Sequence, residues 1–590
     1  MKLKKILSMI LSVSTALSCM VPVCHAEELF AETYDMTSVK PDGENGIVFE
    51  VEVPDGDYTV NVKTGGETET KANIYINGGE RVRAYTLEPG KTQDNEQPVV
   101  PIDGKISVQV LGENPNVTEI AVTELPARTE KGEKTTIYIA GDSTAQTYNY
   151  EKVYPQTGWG QMLDKYFTDQ VIIENRAMAG RSSKSYNNDG RLDKILTEMH
   201  PGDYVLIQFG INDGAENKPE RYISVEDYKK LITEKYMGEV EKRGGIPVLM
   251  TASAAGWWDE EKNNFMESRQ DYADPTREIA KETGCAFIDI NRIMTDTWNT
   301  MDKEDVISGY FVCEPLESKA YPVGTNDTTH MKPKGAKRVA GMVAEAIKTD
   351  VPELAKYLKS EEVFTDIAGH WGETYIKALA DKGMVDGVGD GKFNPDGTVT
   401  RAEFLKMAMD AAGIVGHAYR EGECLDAAND DWYCYYLQGA LDKGLIDENL
   451  LSDKRAWTSE ELPKKAERVL AEATDEKEAV TTEVYEYKQG EFKGDIPITR
   501  EEMASILSDV VHEVGEKLPK LDVDEENPWQ SVSEKVNFTD YNEIEYDLEV
   551  IRCAMYGLVE GMDDGTFAPK ATLTRAQAAT IIGRLANLLK

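Results

Sequence analysis

A serine at the end of an apolar run is the first residue in this chain that invites chemistry. The run "TTIYIA" leads directly into Gly141-Asp142-Ser143-Thr144, which puts Ser143 where a strand turns toward a helix. A serine hydroxyl is a weak nucleophile until an imidazole accepts its proton, and a carboxylate must hold that imidazole in the right tautomer. Both partners stand far downstream in "NDTTH", where Asp327 and His330 are three residues apart, just before the helical stretch "PKGAKRVAGMVAEAIK". At that spacing Asp327 can fold back onto the His330 ring. Acyl transfer also needs donors for an oxyanion. "NRAMAGRSS" offers the backbone N–H of Gly180, "FGIND" offers the side-chain amide of Asn212, and Ser143 supplies its own N–H. The plainer role for Asp142-Ser143 and for Asp327-Thr328-Thr329 is helix capping, which is compatible with catalysis. His200, the other histidine of this stretch, stands in "EMHPGD" as ordinary punctuation before a proline. A G-x-S-x-G elbow is incomplete, because Ala145 occupies the last glycine position.

The elements that must position these groups follow from the rhythm of the chain. Between residues 134 and 350 short apolar runs ("TTIYIA", "VIIENRA", "DYVLIQFG", "IPVLMTAS", "CAFIDI") alternate with amphipathic stretches such as Val225 to Arg243. Near-continuous apolar strands belong to a sheet covered on both faces, so this predicts a doubly wound parallel α/β domain that binds ligands at the carboxyl ends of its strands. Residues 27–128 instead alternate in short runs ("GIVFEVEV", "DYTVNVKT", "ANIYING", "KISVQVLG") between Gly, Asp and Asn turns, the pattern of an antiparallel β-sandwich. A charged linker is expected over 351–362. Beyond it "VFTDIAGHWGETYIKALADKGMVDGVGDGKFNPDGTVTRAEFLKMA" is echoed near the terminus by "NFTDYNEIEYDLEVIRCAMYGLVEGMDDGTFAPKATLTRAQAATII". The repeats fall at 363–416, 417–515 (degenerate, with an insertion from about Leu450 to Ile496) and 536–590, and predict an all-α bundle of stacked units.

The blocks around Ser143, Gly180, Asn212 and Asp327/His330 occur in the order of the SGNH (GDSL) hydrolases, which the central domain resembles. "YPQTGWGQ", "NRAMAGRSSKSY", "GRLDKIL", "GDYVLIQFGIND" and "GTNDTTH" are similar to the bacterial rhamnogalacturonan acetylesterases within that family. The resemblance implies a flavodoxin-like domain that removes acetyl groups from pectic polysaccharide with a Ser143, His330 and Asp327 triad and no metal or other cofactor. Ile211 departs from it, since these relatives usually carry histidine there, and so does "TASAAGWWDE", where a more basic segment would line the cleft. Arg181 suits a uronate carboxylate. Trp257 or Trp258 is a cleft candidate, with simple packing an equal alternative. Neutral acetylated xylan stands as a competing substrate, because an acidic enzyme on anionic pectin is electrostatically awkward. The repeats resemble S-layer homology domains, whose "TRAE" arginines line grooves for a secondary cell-wall polysaccharide. That implies Trp371, Arg401, Arg500 and Arg575 as wall-polymer contacts, with fewer than three working grooves because only the first copy has the His370-Trp371 pair. The N-terminal module resembles the jelly rolls that precede carbohydrate esterases, some of which bind sugar. A non-catalytic wall-binding or S-layer structural protein is the alternative from another class.

Composition bounds the rest. Lys2, Lys4 and Lys5 precede an apolar run from Ile6 to Val23 that ends in Cys24-His25-Ala26, so residues 1–26 read as a secretory signal and the chain as secreted, and the resemblance of the repeats to S-layer homology domains implies attachment to a Gram-positive-type wall. No transmembrane segment is expected after cleavage. A net charge of −41 argues against nucleic acid and anionic membranes as partners. Only His200, His330, His370, His417 and His512 follow the signal, too few for histidine-rich metal chemistry. Among Cys285, Cys313, Cys424, Cys434 and Cys553, only Cys424 and Cys434 invite pairing.

Overall fold

The computed structural model describes residues 29–589 apart from 44–45, 360–363, 382–383, 390, 429, 448–449, 452–464, 472–479, 486–489 and 522–527. The expected signal, 1–26, lies outside the described residues.

Eight N-terminal strands, β1 (Ala31–Asp35), β2 (Ile47–Glu52), β3 (Tyr58–Gly65), β4 (Thr70–Ile76), β5 (Gly79–Leu87), β6 (Thr92–Val99), β7 (Lys105–Asn114) and β8 (Val117–Glu124), form two antiparallel sheets. Their orders are β1-β8-β3-β6 and β2-β7-β4-β5. Alternation does the work: Tyr58, Val60 and Val62 from one sheet and Ile74, Ile106 and Val108 from the other enter one core, while intervening residues stay wet. The compact unit so formed also takes in residues 185–202 and 239–245. Within it Arg81 pairs with Asp193 at 2.7 Å, both side chains buried.

The second compact unit carries the catalytic candidates and the repeats. Its parallel sheet contains β9 (Thr135–Gly141), β10 (Val171–Asn175), β11 (Tyr204–Gln208) and β12 (Ile246–Met250); after a two-residue hairpin, β13 (Trp258–Asp259) and β14 (Asn264–Phe265), it is completed by β15 (Ala286–Ile288). The spatial order β10-β9-β11-β12-β15, every pair parallel, reverses direction beside β9, the switch point at which such sheets bind ligands. Ile137, Ile139, Leu206, Val248 and Ile288 share a core with Val339, Val343 and Ile347 of helix Pro333–Asp350. Of the stretch expected as a linker, residues 351–359 are described, and they pack against the sheet domain. Val351 and Leu354 join that core, and Lys359 N–H donates to the Tyr166 carbonyl at 2.8 Å, because the sequence turns apolar again just where charge suggested a spacer.

The C-terminal region is helical, with helices Glu373–Asp381, Arg401–Ala412, Cys434–Lys443, Arg500–Glu513, Asp547–Met555 and Arg575–Leu588. It is not all-α as expected, since β16 (Lys465–Ala471) and β17 (Val480–Tyr485) pair within the insertion. Three backbone hydrogen bonds close a ring through the repeats: Val399 donates to Leu573, Leu573 to Ile498 and Ile498 to Val399, at 3.0 to 3.1 Å, all three side chains buried. Cys424 and Cys434, the two cysteines whose spacing invited pairing, are free thiols. Each bonds to a carbonyl oxygen instead, Gly490 at 3.0 Å and Ala428 at 2.9 Å, and burial pushes each thiol up to about 12.

Candidate active site

β9 ends at Gly141, and the turn that follows is set by its own side chains. Asp142 Oδ1 accepts the N–H and the hydroxyl of Thr144, both at 2.9 Å, which turns the chain around Ser143 at the strand's carboxyl end. Asp142 is fully buried, its Oδ2 without a partner, and burial raises its carboxyl against those bonds and the charges of His330 and Arg269. Gln208, at the end of β11, binds this turn to its neighbours: its Oε1 accepts Trp159 Nε1 at 2.8 Å and its Nε2 donates to Thr251 O and Ser253 Oγ, both at 3.2 Å.

The distant "NDTTH" loop meets this turn. His330 Nε2 lies 2.8 Å from Ser143 Oγ, and His330 Nδ1 lies 2.6 Å from Asp327 Oδ2. Asp327 Oδ1 accepts the N–H groups of Thr329 at 2.7 Å and His330 at 3.0 Å. Burial pushes the Asp327 carboxyl up, but the His330 hydrogen bond and charge with these N–H donors outweigh it and bring it to about 2. The loop is fixed on both sides. Thr157 N–H donates to Met331 O at 2.8 Å, and Lys332 reaches Glu317 at 3.1 Å with both side chains buried. Glu317 also accepts Tyr435 OH from the repeats at 3.2 Å. Neither Lys332 nor Glu317 was legible, since nothing near either in sequence names the other.

Gly180 has φ +71°, a conformation that favours glycine, and its loop is held to the nucleophile turn by Met178 N–H donating to Gly141 O at 2.9 Å. The N–H groups of Ser143 and Gly180 have no hydrogen-bond partner among the described residues. Asn212 Nδ2 donates to Arg181 O at 3.0 Å, leaving its second hydrogen uncommitted. Asp213 clamps the two donor loops together: it accepts Ser183 N–H and hydroxyl at 2.8 and 2.5 Å and Gly210 N–H at 3.0 Å. Burial pushes its carboxyl up to about 7 despite those bonds.

The other candidates separate. Arg181 Nη1 donates to the nearby Ala179 carbonyl at 3.3 Å. Trp258 is half-buried and packs edge-on against Phe265 at 4.9 Å, under Lys303; Trp257 is 40% exposed, under Arg269. His200 lies against Arg128 at 3.0 Å.

In the repeats Trp371 is 62% exposed, but the arginines are buried. Each opens a helix whose threonine N-cap is satisfied by a capping box. Arg401 binds Leu450 O, Phe492 O and Glu502; Arg575 binds Phe393 O, Asp386 O and Glu403. Arg500 binds only carbonyls, Phe567 O at 2.7 Å and Glu560 O at 2.9 Å, because the equivalent glutamate position holds Gln577.

Comparison with known proteins fits this arrangement. The GDSL-like Lipase/Acylhydrolase family model matches residues 139–338, and the S-layer homology domain model matches 363–405 and 537–579. The probable rhamnogalacturonan acetylesterase YesY of Bacillus subtilis (strain 168) is 34% identical over 212 residues, 36% of this chain and 92% of its own. Rhamnogalacturonan acetylesterase RhgT of the same organism is 30% identical over 226 residues, 38% of this chain and 95% of its own. The uncharacterized esterase YxiM, also from that organism, is 25% identical over 304 residues, 51% of this chain and 74% of its own. With serine, histidine and aspartate joined at the carboxyl edge of a parallel sheet, and relatives matched over nearly their whole length, the chain belongs to the GDSL-like lipase/acylhydrolase family and carries S-layer homology domains.

Proposed function

We propose that the chain is a cell-surface carbohydrate O-acetylesterase that works through an acetyl-serine intermediate. The observation that carries this is the hydrogen-bonded series from Asp327 through His330 to Ser143, at 2.6 and 2.8 Å. Ser143 Oγ attacks the acetyl carbonyl carbon while His330 Nε2 takes its proton. The bond from that carbon to the sugar oxygen then breaks, and His330 returns the proton to the sugar. Water repeats the sequence on the acetyl-enzyme, releasing acetate and restoring Ser143. Asp327 keeps the ring proton on Nδ1 so that Nε2 can accept. The unpaired N–H groups of Ser143 and Gly180, with the free hydrogen of Asn212, receive the oxyanion, each donor typically contributing about 3 to 4 kcal/mol to the barrier. The named activity of YesY and RhgT supports acetylated rhamnogalacturonan as the substrate class.

The remaining modules place this chemistry. Residues 1–26 act as a signal, the N-terminal strands form a β-sandwich, and the repeat bundle holds the enzyme to a wall polymer. Of the repeat arginines, Arg401 and Arg575 are neutralised by Glu502 and Glu403, so the niche of Arg500 is the one that takes an anionic polymer group, and the exposed ring of Trp371 in the first copy offers a separate stacking face. Acetate release by full-length protein from acetylated rhamnogalacturonan and acetylated xylan tests the activity. Release that Ser143→Ala abolishes is expected; equal release by the variant would overturn it, and release from xylan alone would move the substrate to a neutral sugar.

A further inference from the structure

Beside the proposed triad one cation has no anionic partner among the described residues. The guanidinium of Arg269 lies 4.9 Å over the Trp257 ring, and its Nη2 is 3.5 Å from Oγ1 of Thr329, the residue before His330. Gly256 N–H donates to Thr328 O at 2.7 Å, which holds the Trp257 segment on the same loop. No carboxylate lies within ion-pair distance of Arg269 among the described residues, and its Nε is buried without an acceptor. Eight residues on, Arg277 shows how this chain treats an ordinary arginine: Glu267, Asp274 and Asp289 all pair with it, at 2.6 to 2.8 Å. Burial lowers the Arg269 guanidinium from its usual range, opposed only by the charge of Asp142. The residue also sits at φ +62°, a conformation that is costly for a side chain. A half-buried, strained and unpaired guanidinium is expensive to keep, and in a chain with 106 acidic residues a partner would be easy to supply.

We propose that Arg269 and the exposed face of Trp257 form a subsite for a hexuronate next to the acetylated sugar, the guanidinium taking the carboxylate and the indole the sugar face. The planar fork of arginine matches a carboxylate with two parallel hydrogen bonds. Arg181, the residue that the sequence suggested for this task, already donates to the Ala179 carbonyl. A local cation also resolves the electrostatic objection to an acidic enzyme acting on an anionic polymer, because contact distance outweighs a screened net charge. The subsite rests on the acetylesterase activity proposed above.

The test uses the full chain with three substrates: an acetylated uronate-containing oligosaccharide, the same oligosaccharide with its carboxyls methyl-esterified, and para-nitrophenyl acetate. Arg269→Gln should raise KM for the charged oligosaccharide by about tenfold or more, the loss expected for one charge-assisted pair. Its KM for the esterified oligosaccharide and its turnover of para-nitrophenyl acetate should change by far less, so that the selective loss on the charged oligosaccharide is the readout. Arg269→Lys should recover part of the loss, and added salt should raise KM for the charged substrate in the wild type only. Equal losses on all three substrates would mean that Arg269 merely braces the loop, and no loss on any would remove the subsite. If Arg269→Gln does not fold, Arg269→Lys decides by the same comparison, a selective rise in KM supporting the subsite and a uniform loss overturning it. A wild type that cleaves para-nitrophenyl acetate but shows no preference between the two oligosaccharides overturns the subsite alone. One that cleaves none of the three overturns the esterase activity itself.

Discussion

Replacing Asp327 with asparagine is the sharpest perturbation of the proposed mechanism, because geometry fixes what the new amide must do. Asp327 Oδ1 accepts two backbone N–H groups, at 2.7 and 3.0 Å, and Oδ2 faces His330 Nδ1 at 2.6 Å. Asparagine keeps its single oxygen on the two N–H donors, so its NH2 group turns to Nδ1, which must then accept. The ring proton moves to Nε2, 2.8 Å from Ser143 Oγ, where a donor cannot take the serine proton. Loss of the base in this way is worth roughly 10³ to 10⁴ in kcat, or about 4 to 5.5 kcal/mol of barrier. Folding should change far less. The Asp327 carboxyl is lowered to about 2, so its pairing contributes stability above the unfolded value near 4 that is lost as pH falls through about 2. Since the side chain is 41% exposed, screening leaves about 1 to 2 kcal/mol of that at neutral pH. The assay is turnover of para-nitrophenyl acetate against pH, with thermal melting on the same samples. An Asp327→Asn enzyme within about tenfold of wild type and with an unchanged pH profile would refute the orienting role.

Three further outcomes are expected. Asp213, raised to about 7 against an unfolded value near 4, holds a proton only in the folded state between those pH values, so wild-type stability falls across that window by up to about 4 kcal/mol. Urea unfolding of Asp213→Asn should gain on wild type from pH 4.5 to 7.5, and parallel profiles would dismiss the buried titration. Lys332→Met strands Glu317 and should cost about 3 to 5 kcal/mol in the unfolding midpoint, whereas Lys332→Met with Glu317→Leu should recover most of it; no recovery would mean that the pair is not what the site depends on. Gln577→Glu should pair with Arg500 as Glu502 pairs with Arg401, stabilise the repeats by about 1 kcal/mol, and weaken co-sedimentation with purified Gram-positive walls. Undiminished wall binding would remove Arg500 from the contact.

The meeting of Ser143, His330 and Asp327 was legible because each is announced by its neighbours. Ser143 follows an apolar run directly, and Asp327 and His330 are close enough in sequence that their pairing needs no long-range fold. The parallel sheet was legible for the same reason, its strands being short, apolar and separated by amphipathic stretches. What was missed lies in contacts between residues distant in the chain. Trp258 and Trp257 look alike in sequence, yet β13 turns one ring onto Phe265 and leaves the other exposed. The charged stretch after residue 350 looked like a spacer because Val351 and Leu354, the two residues that bury, are outnumbered by their charged neighbours.

The repeat arginines show most clearly why a motif underdetermines a role. Read locally, "TRAE" explains itself as a capped helix start, and all three threonines do cap. Read by resemblance, it makes groove arginines of unequal strength, ranked by how much of the first copy's motif set each repeat keeps. The fold makes them unequal on another ground, because each arginine reaches into the repeat that follows it around the ring and finds whatever stands at that repeat's third helical position. Two find glutamate, Glu502 and Glu403; Arg500 meets the turn that Gln577 caps and binds only carbonyls. A one-atom exchange of oxygen for nitrogen at residue 577 therefore leaves Arg500, among the described residues, without the carboxylate partner that Arg401 and Arg575 have. No inspection of the Arg500 segment alone can show this, since the deciding residue lies in a different copy of the repeat.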